Sequence, residues 1–182
     1  MSDYKLLGIS GALRRDSLNR KLIREAARLF GTDDFTEADL SLPLYDGDVE
    51  MRDGIPPAVQ RLADQISAAD AVLISTPEYN GSLSGVLKNA LDWVSRTDGT
   101  PWQDKPVAIL SAAAGRAGGT KAQSSLRLCL TPFRPHLLTG PEVAVASAGD
   151  AFDKQGRLSD RYAKSVAELM QALRRAVDLQ RQ

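Results

Sequence analysis

Four apolar runs punctuate an otherwise mixed chain: YKLLGIS at 4–10, AVLIST at 71–76, PVAILSAAA at 106–114 and EVAVAS at 142–147. Each is too continuous for a strand with one face in water, and fits a strand covered on both faces. A weaker run, FTEADL, lies at 35–40. Between the runs, apolar residues recur at helical spacing. Residues 19–30 align Leu22, Ile23, Ala26, Ala27 and Phe30. Residues 57–68 align Val59, Leu62, Ala63 and Ile66, and residues 83–95 align Val86, Leu87, Ala90, Leu91 and Val94. Further helices are expected at 119–130 and at 159–180, the last carrying Tyr162, Val166, Leu169, Met170, Leu173 and Val177.

The resulting alternation, strand then helix five times over, predicts an α/β fold. Right-handed crossovers place helices on both faces of a doubly wound five-stranded parallel sheet. Five strands favour the order 2-1-3-4-5, with half of a dinucleotide-binding sheet as the alternative. The 182 residues fit a single domain, with no repeat, low-complexity run or linker. The loops at 41–56 and 96–105 are long enough to be functional.

Ligands of such sheets bind beyond the carboxyl ends of the strands, where the strand order switches. Three loops meet there. The first, SGALRRDSLNRK at 10–21, opens a helix. Its Gly11 permits a tight turn, Arg14 and Arg15 bring positive charge, and Ser17 and Asn19 sit among the free amides of a helix start, a combination that suits an anion. A plain helix cap with solvated arginines is the structural alternative. It is neither a G-x-G-x-x-G turn nor a P-loop. The second loop, TPEYNGS at 76–82, is stiffened by Pro77, while Asn80 and Gly81 admit left-handed backbone angles. Tyr79 offers a flat wall there. Such a turn suits the edge of a hydrogen-bonding heterocycle. The third, SAAAGRAGGTKAQ at 111–123, is small enough for backbone to approach a ligand, and Arg116 within it is a cation at the cleft mouth.

Composition narrows the field. Charge is balanced, 23 basic against 23 acidic residues, which argues against general affinity for nucleic acid or anionic membrane. The lone Cys129 cannot form an internal disulfide and reads as a small helix hydrophobe. The only histidine, His136, leaves a triad or His-rich metal site without material, so no metal site and no catalytic side chain is expected. Tyr45 and Asp46 either line the cleft or simply form an Asx-stabilised turn. With no export signal, no membrane-length apolar run and no disulfide, the expected location is cytoplasmic.

With the three loops in place, the sequence resembles the NADPH-dependent FMN reductase family, closest to its quinone, chromate and azo reductase branch. The carrying motifs are SGALRRDSLN, LPLYDGD, TPEYNGSLSGVLKNALDW and AGRAGG, across about residues 4 to 175. The P-E-Y-N turn followed by L-K-N-A-L-D-W is the specific one. The resemblance implies a flavodoxin-like fold, FMN as cofactor and NADPH or NADH as donor. Quinones, chromate, ferric complexes or azo compounds would be acceptors in a ping-pong order. A flavodoxin-type electron carrier or redox sensor is the alternative, against which the net charge of zero counts. By the same resemblance Arg14, Ser17 and Asn19 hold the FMN phosphate, with Ser10 close by. Pro77, Glu78, Tyr79, Asn80 and Gly81 face the flavin ring, largely through backbone. Ala112, Ala113, Ala114, Gly115 and Gly118 cover its other edge. Ala12 departs from the family where a phosphate-bonding Ser is usual. Ser84 replaces a usual Pro, which is expected to loosen the turn. Arg116, ahead of Arg15 and Arg96, is expected to give a mild NADPH preference. A homodimer or tetramer is implied, with Trp93, Trp102 and Tyr79 expected near the cleft as aromatic interface anchors.

Overall fold

A computed structural model describes residues 4–182. The strands are β1 (Leu6–Ser10), β2 (Phe35–Glu37), β3 (Ala71–Thr76), β4 (Pro106–Ala112), β5 (His136–Leu137) and β6 (Val143–Val145). The helices are α1 (Leu18–Phe30), α2 (Gly47–Asp53), α3 (Pro57–Ala68), α4 (Gly85–Val94), α5 (Thr120–Leu130) and α6 (Asp160–Gln180). All strand pairs are parallel, in the order β2-β1-β3-β4-β5, with β6 also on β4.

The expected order holds, with one refinement at the edge. The fifth position is shared by two short segments. β5 pairs with the start of β4 (Pro106 opposite His136), and β6 with its end (Leu110 opposite Val143). Only β6 was legible as an apolar run. β5 is two residues long between Pro135 and the Gly140–Pro141 pair, too short to carry a pattern. The loop at 41–56 also contains the unexpected α2, which buries no residue and therefore has no apolar stripe to announce it.

The strands are buried on both faces, as their continuous hydrophobicity requires. Leu6, Leu73, Ala108, Leu110 and Val143 point to one core with Leu22, Ala26 and Phe30 of α1 and Leu169, Met170 and Leu173 of α6. The alternating residues Leu7, Ile9, Val72, Ile74, Val107 and Ile109 pack against Leu62 and Ile66 of α3, Leu87 and Leu91 of α4 and Leu126 and Leu130 of α5. Both expected tryptophans belong to the interior. Trp93 is wholly buried, and its indole N–H donates to the Pro43 carbonyl at 2.8 Å. Trp102 is 2% exposed and packs edge-on to Phe133. Neither is available as an interface anchor, and only Tyr79, 60% exposed, is. His136 is exposed and Cys129 half-buried. Among the described residues no helix is long and apolar enough to cross a membrane.

Candidate functional site

The three loops meet at the carboxyl ends of β1, β3 and β4, and buried side chains tie them together. The central tie is Asn19, 3% exposed in the first turn of α1. Its carboxamide bridges β3 and β4. Nδ2 donates to the Ala112 carbonyl at 3.0 Å, and Oδ1 accepts from the Ala112 N–H at 3.0 Å and from the Ser75 hydroxyl at 2.7 Å. The side chain proposed for a phosphate is thus turned to β3 and β4, where it holds the start of α1 against the third loop. Ser17 caps α1, accepting from the Asn19 N–H at 3.2 Å, and its hydroxyl proton remains free to donate.

A second tie joins the first and second loops. Ser84 is 1% exposed; its hydroxyl donates to the Gly11 carbonyl at 2.6 Å and accepts the Leu87 N–H at 3.3 Å, capping α4. The expected loosening is therefore not found, because the hydroxyl replaces proline's rigidity with a cross-loop bond. Gly11 is required by this closeness, since a Cβ there would lie 2.9 Å from Ser84 Oγ and 3.3 Å from Pro77 Cδ. A third tie joins the second and third loops. Glu78 accepts from the Lys121 N–H at 3.1 Å, capping α5, whose own N-cap Gly119 has no side chain to do so. Finally, Ser111 donates to the Gly118 carbonyl at 2.6 Å and accepts from Gln123 at 2.8 Å.

On this frame the exposed backbone is left open. The amides of residues 12–16 donate to no other described group, and the Arg14 and Arg15 side chains beside them are exposed without a partner among the described residues. Ser10 Oγ is buried without a hydrogen-bond partner among the described residues. In the second loop Asn80 (φ 53) and Gly81 (φ 75) both take left-handed angles, closed by mutual Tyr79–Ser82 backbone bonds at 3.1 Å. In the third, the amides of residues 114–117 have no partner among the described residues, while Ala113 N–H is taken by the Val145 carbonyl at 3.1 Å. Gly118 (φ 62) lies so close to β6 that a Cβ would sit 2.6 Å from the Ala144 backbone.

Sequence reasoning missed Ser75, Ser111, Gln123 and the second role of Glu78. The available signal was a serine near the carboxyl end of two wholly apolar strands, where a buried hydroxyl demands a partner. Tyr45 and Asp46 take the turn reading. Asp46 accepts from the Asp48 N–H at 2.9 Å and caps α2, while Tyr45 bonds Glu50 at 2.9 Å. Glu50 raises the pKa of the Tyr45 phenol and also binds Arg96 at 3.0 Å, which occupies that arginine.

A buried hydroxyl without a described partner, open amides ahead of α1 beside two arginines, and the open backbone of the second and third loops at the switch point of a flavodoxin-like sheet are a set of residues that fits FMN. The chain matches the NADPH-dependent FMN reductases over residues 4–150, and belongs to that family. It is 50% identical over 174 residues to an NAD(P)H-dependent FMN reductase of Pseudomonas aeruginosa, covering 94% of each chain. It is 38% identical over 141 residues to the quinone reductase of Escherichia coli K12, covering 76% of this chain and 75% of that one. The solved flavoenzyme FerB, an NAD(P)H:(acceptor) oxidoreductase of Paracoccus denitrificans, superposes with a TM-score of 0.81 at 33% identity, covering 96% of both chains. The protein is accordingly a flavin reductase that uses FMN and NAD(P)H.

Proposed function

We propose that the chain, acting as a single FMN-binding domain in the cytoplasm, transfers reducing equivalents from NADPH or NADH to quinones in ping-pong order. Chromate, ferric complexes and azo compounds are further acceptors. FMN held by the residues of this site would supply the redox chemistry, with hydride acceptance at N5 in one half-reaction and reoxidation by the acceptor in the other. The observation that carries this reading is the set of cross-loop bonds through Asn19, Ser84 and Glu78, which fixes an open rim of amides before any ligand arrives. Preorganised donors of this kind lose little on binding.

Arg14, the Ser17 hydroxyl and the amides of residues 12–16 hold the phosphate, with Ser10 beneath. Asn19 serves it by holding the helix start in place. The backbone of residues 77–81 meets one edge of the ring, with Tyr79 as a wall. Ala112, Ala113, Ala114, Gly115 and Gly118 keep the other edge clear of side chains. No side chain acts as acid, base or nucleophile; the protein binds, orients and excludes water. Arg116 favours NADPH. The active unit is a homodimer or tetramer, supported by the exposure of Leu13, Leu44 and Tyr79, all on segments leaving the carboxyl ends of strands.

The purified protein is expected to be yellow and to bleach within the mixing time when NADPH is added without oxygen. Addition of a quinone should restore the colour. A colourless preparation that takes up no FMN removes the reading, and a yellow one that NADPH does not bleach points to an electron carrier.

A further inference from the structure

The third loop has two sides. Its inner side faces the proposed ring. Its outer side forms a cleft of ≈ 410 Å³ with the segment after β6 and the start of α6, lined by Arg116, Ser147, Asp150, Ser159, Arg161 and Tyr162 among others. Arg116 and Arg161 are both exposed, and neither forms a hydrogen bond or ion pair with any described residue. Several other surface arginines are paired with carboxylates. Arg20 and Arg24 share Glu37, and Arg28 and Arg157 share Glu25. The cleft instead holds two unpaired guanidiniums against one lining carboxylate, Asp150, which bonds neither of them; Asp160 follows Ser159 in the first turn of α6.

The cleft is also built. The Tyr162 hydroxyl accepts from the Ala146 N–H at 3.2 Å and reaches the Ala146 carbonyl at 3.3 Å, which fixes the ring. The Arg161 guanidinium carbon lies over that ring, 5.3 Å from its centre, a cation–π contact. The opposite wall is fastened by the Ala148 N–H donating to the Ala113 carbonyl at 3.1 Å and by Gly118 against Ala144. The hydroxyls of Ser147 and Ser159 have no described partner, so each is free to donate. A site with this excess of available cationic and hydroxyl donors suits a phosphate monoester.

We propose that this cleft receives the adenosine end of NADPH, with its 2′-phosphate between Arg116 and Arg161, while the nicotinamide reaches over the third loop to the flavin side. The inference rests on the oxidoreductase reading above and adds Arg161, Tyr162 and the start of α6 to the donor site. NADH lacks the phosphate and leaves both guanidiniums in water, so the discrimination acts on donor binding.

The test is a calorimetric titration of 2′,5′-ADP and of 5′-AMP into the protein as isolated. Wild type, Arg161→Lys, Arg161→Ala and the Arg116→Ala/Arg161→Ala pair are compared. Turnover over Michaelis constant is measured with NADPH and NADH for each, and FMN affinity by fluorescence quenching. Wild type should bind 2′,5′-ADP more tightly than 5′-AMP. Arg161→Ala should weaken 2′,5′-ADP by about tenfold or more, the scale of one charge-assisted bond. The pair should weaken it further, and Arg161→Lys should fall between. The NADPH-to-NADH ratio should drop in parallel, with FMN affinity unmoved. Equal binding of the two nucleotides to wild type, or an unchanged ratio and 2′,5′-ADP affinity in the pair, overturns the proposal. If the protein takes up no FMN, the oxidoreductase reading falls instead, and the nucleotide titration still decides the cleft.

Discussion

Replacing Asn19 by alanine separates two accounts of the same residue. If Asn19 is a phosphate donor, Asn19→Ala weakens FMN and leaves the flavin-free protein as stable as before. The geometry requires more. Truncation strips the partner from the Ala112 N–H and carbonyl and from the Ser75 hydroxyl, all three in residues at most 3% exposed. The hydroxyl can rotate to another acceptor, but the two backbone groups of Ala112 cannot. Each buried polar group left unsatisfied costs about 1–3 kcal/mol. Two such groups give about 2–6 kcal/mol, and water entering from the nearby exposed loop brings the expectation to about 2–4 kcal/mol. That is a large share of the roughly 5–15 kcal/mol that stabilises a domain. With a urea slope of about 2 kcal/mol per molar, the midpoint should fall by about 1–2 M. Urea unfolding of the flavin-free protein, followed by circular dichroism, measures this directly. Ser75→Ala serves as control; it leaves both Ala112 bonds in place and should cost only about 1 kcal/mol. A midpoint for Asn19→Ala within about 0.3 M of wild type would show that the clamp contributes little, and the reasoning from its three bonds would be refuted.

Three further outcomes follow from the same structure. Ser84→Ala orphans the Gly11 carbonyl and uncaps α4, and should lower stability by about 1–3 kcal/mol while weakening FMN; Ser84→Thr should restore most of both, and an alanine variant matching wild type in a denaturant titration would count against the cross-loop tie. Gly118→Ala places a Cβ against the Ala144 backbone at a left-handed angle, and should cost about 2–5 kcal/mol, read as a fall in melting temperature; a neutral result would mean that β6 yields easily. Burial opposes ionisation of Glu25, yet bonds to Arg28 and Arg157 outweigh it and its pKa is lowered. Its contribution is therefore complete above the ordinary carboxylate pKa of about 4.3 and is lost as pH falls through the depressed folded value, so Glu25→Gln should flatten the acid limb of a stability-versus-pH curve; equal slopes in the two proteins would argue against this pairing.

The sequence by itself determined the layered architecture. Strands covered on both faces must be continuously apolar, and helices covered on one face must carry an apolar stripe, so β1, β3, β4, α1, α3, α4, α5 and α6 were all legible. It also located the three loops, because glycine, proline and asparagine at strand ends mark turns through their own backbone preferences. What it could not decide was direction. Asn19 and Ser84 are polar residues at helix starts and Glu78 is one in the turn after β3, where the local pattern allows a ligand contact, a cap or a solvated side chain equally. Only the packing of β1, β3 and β4 brings Ser75 and Ala112 beneath Asn19, Gly11 beside Ser84 and Lys121 beside Glu78. Trp93 and Trp102 show the same limit: an aromatic near a motif is compatible with core or rim, and burial is a property of the assembled layers. The short β5 and α2, which buries no residue, lack any periodic apolar signature, so they exist only through the tertiary contacts and caps that hold them. Hydrophobic periodicity is written along the chain, whereas hydrogen-bond partners 40 to 100 residues apart are chosen by the fold.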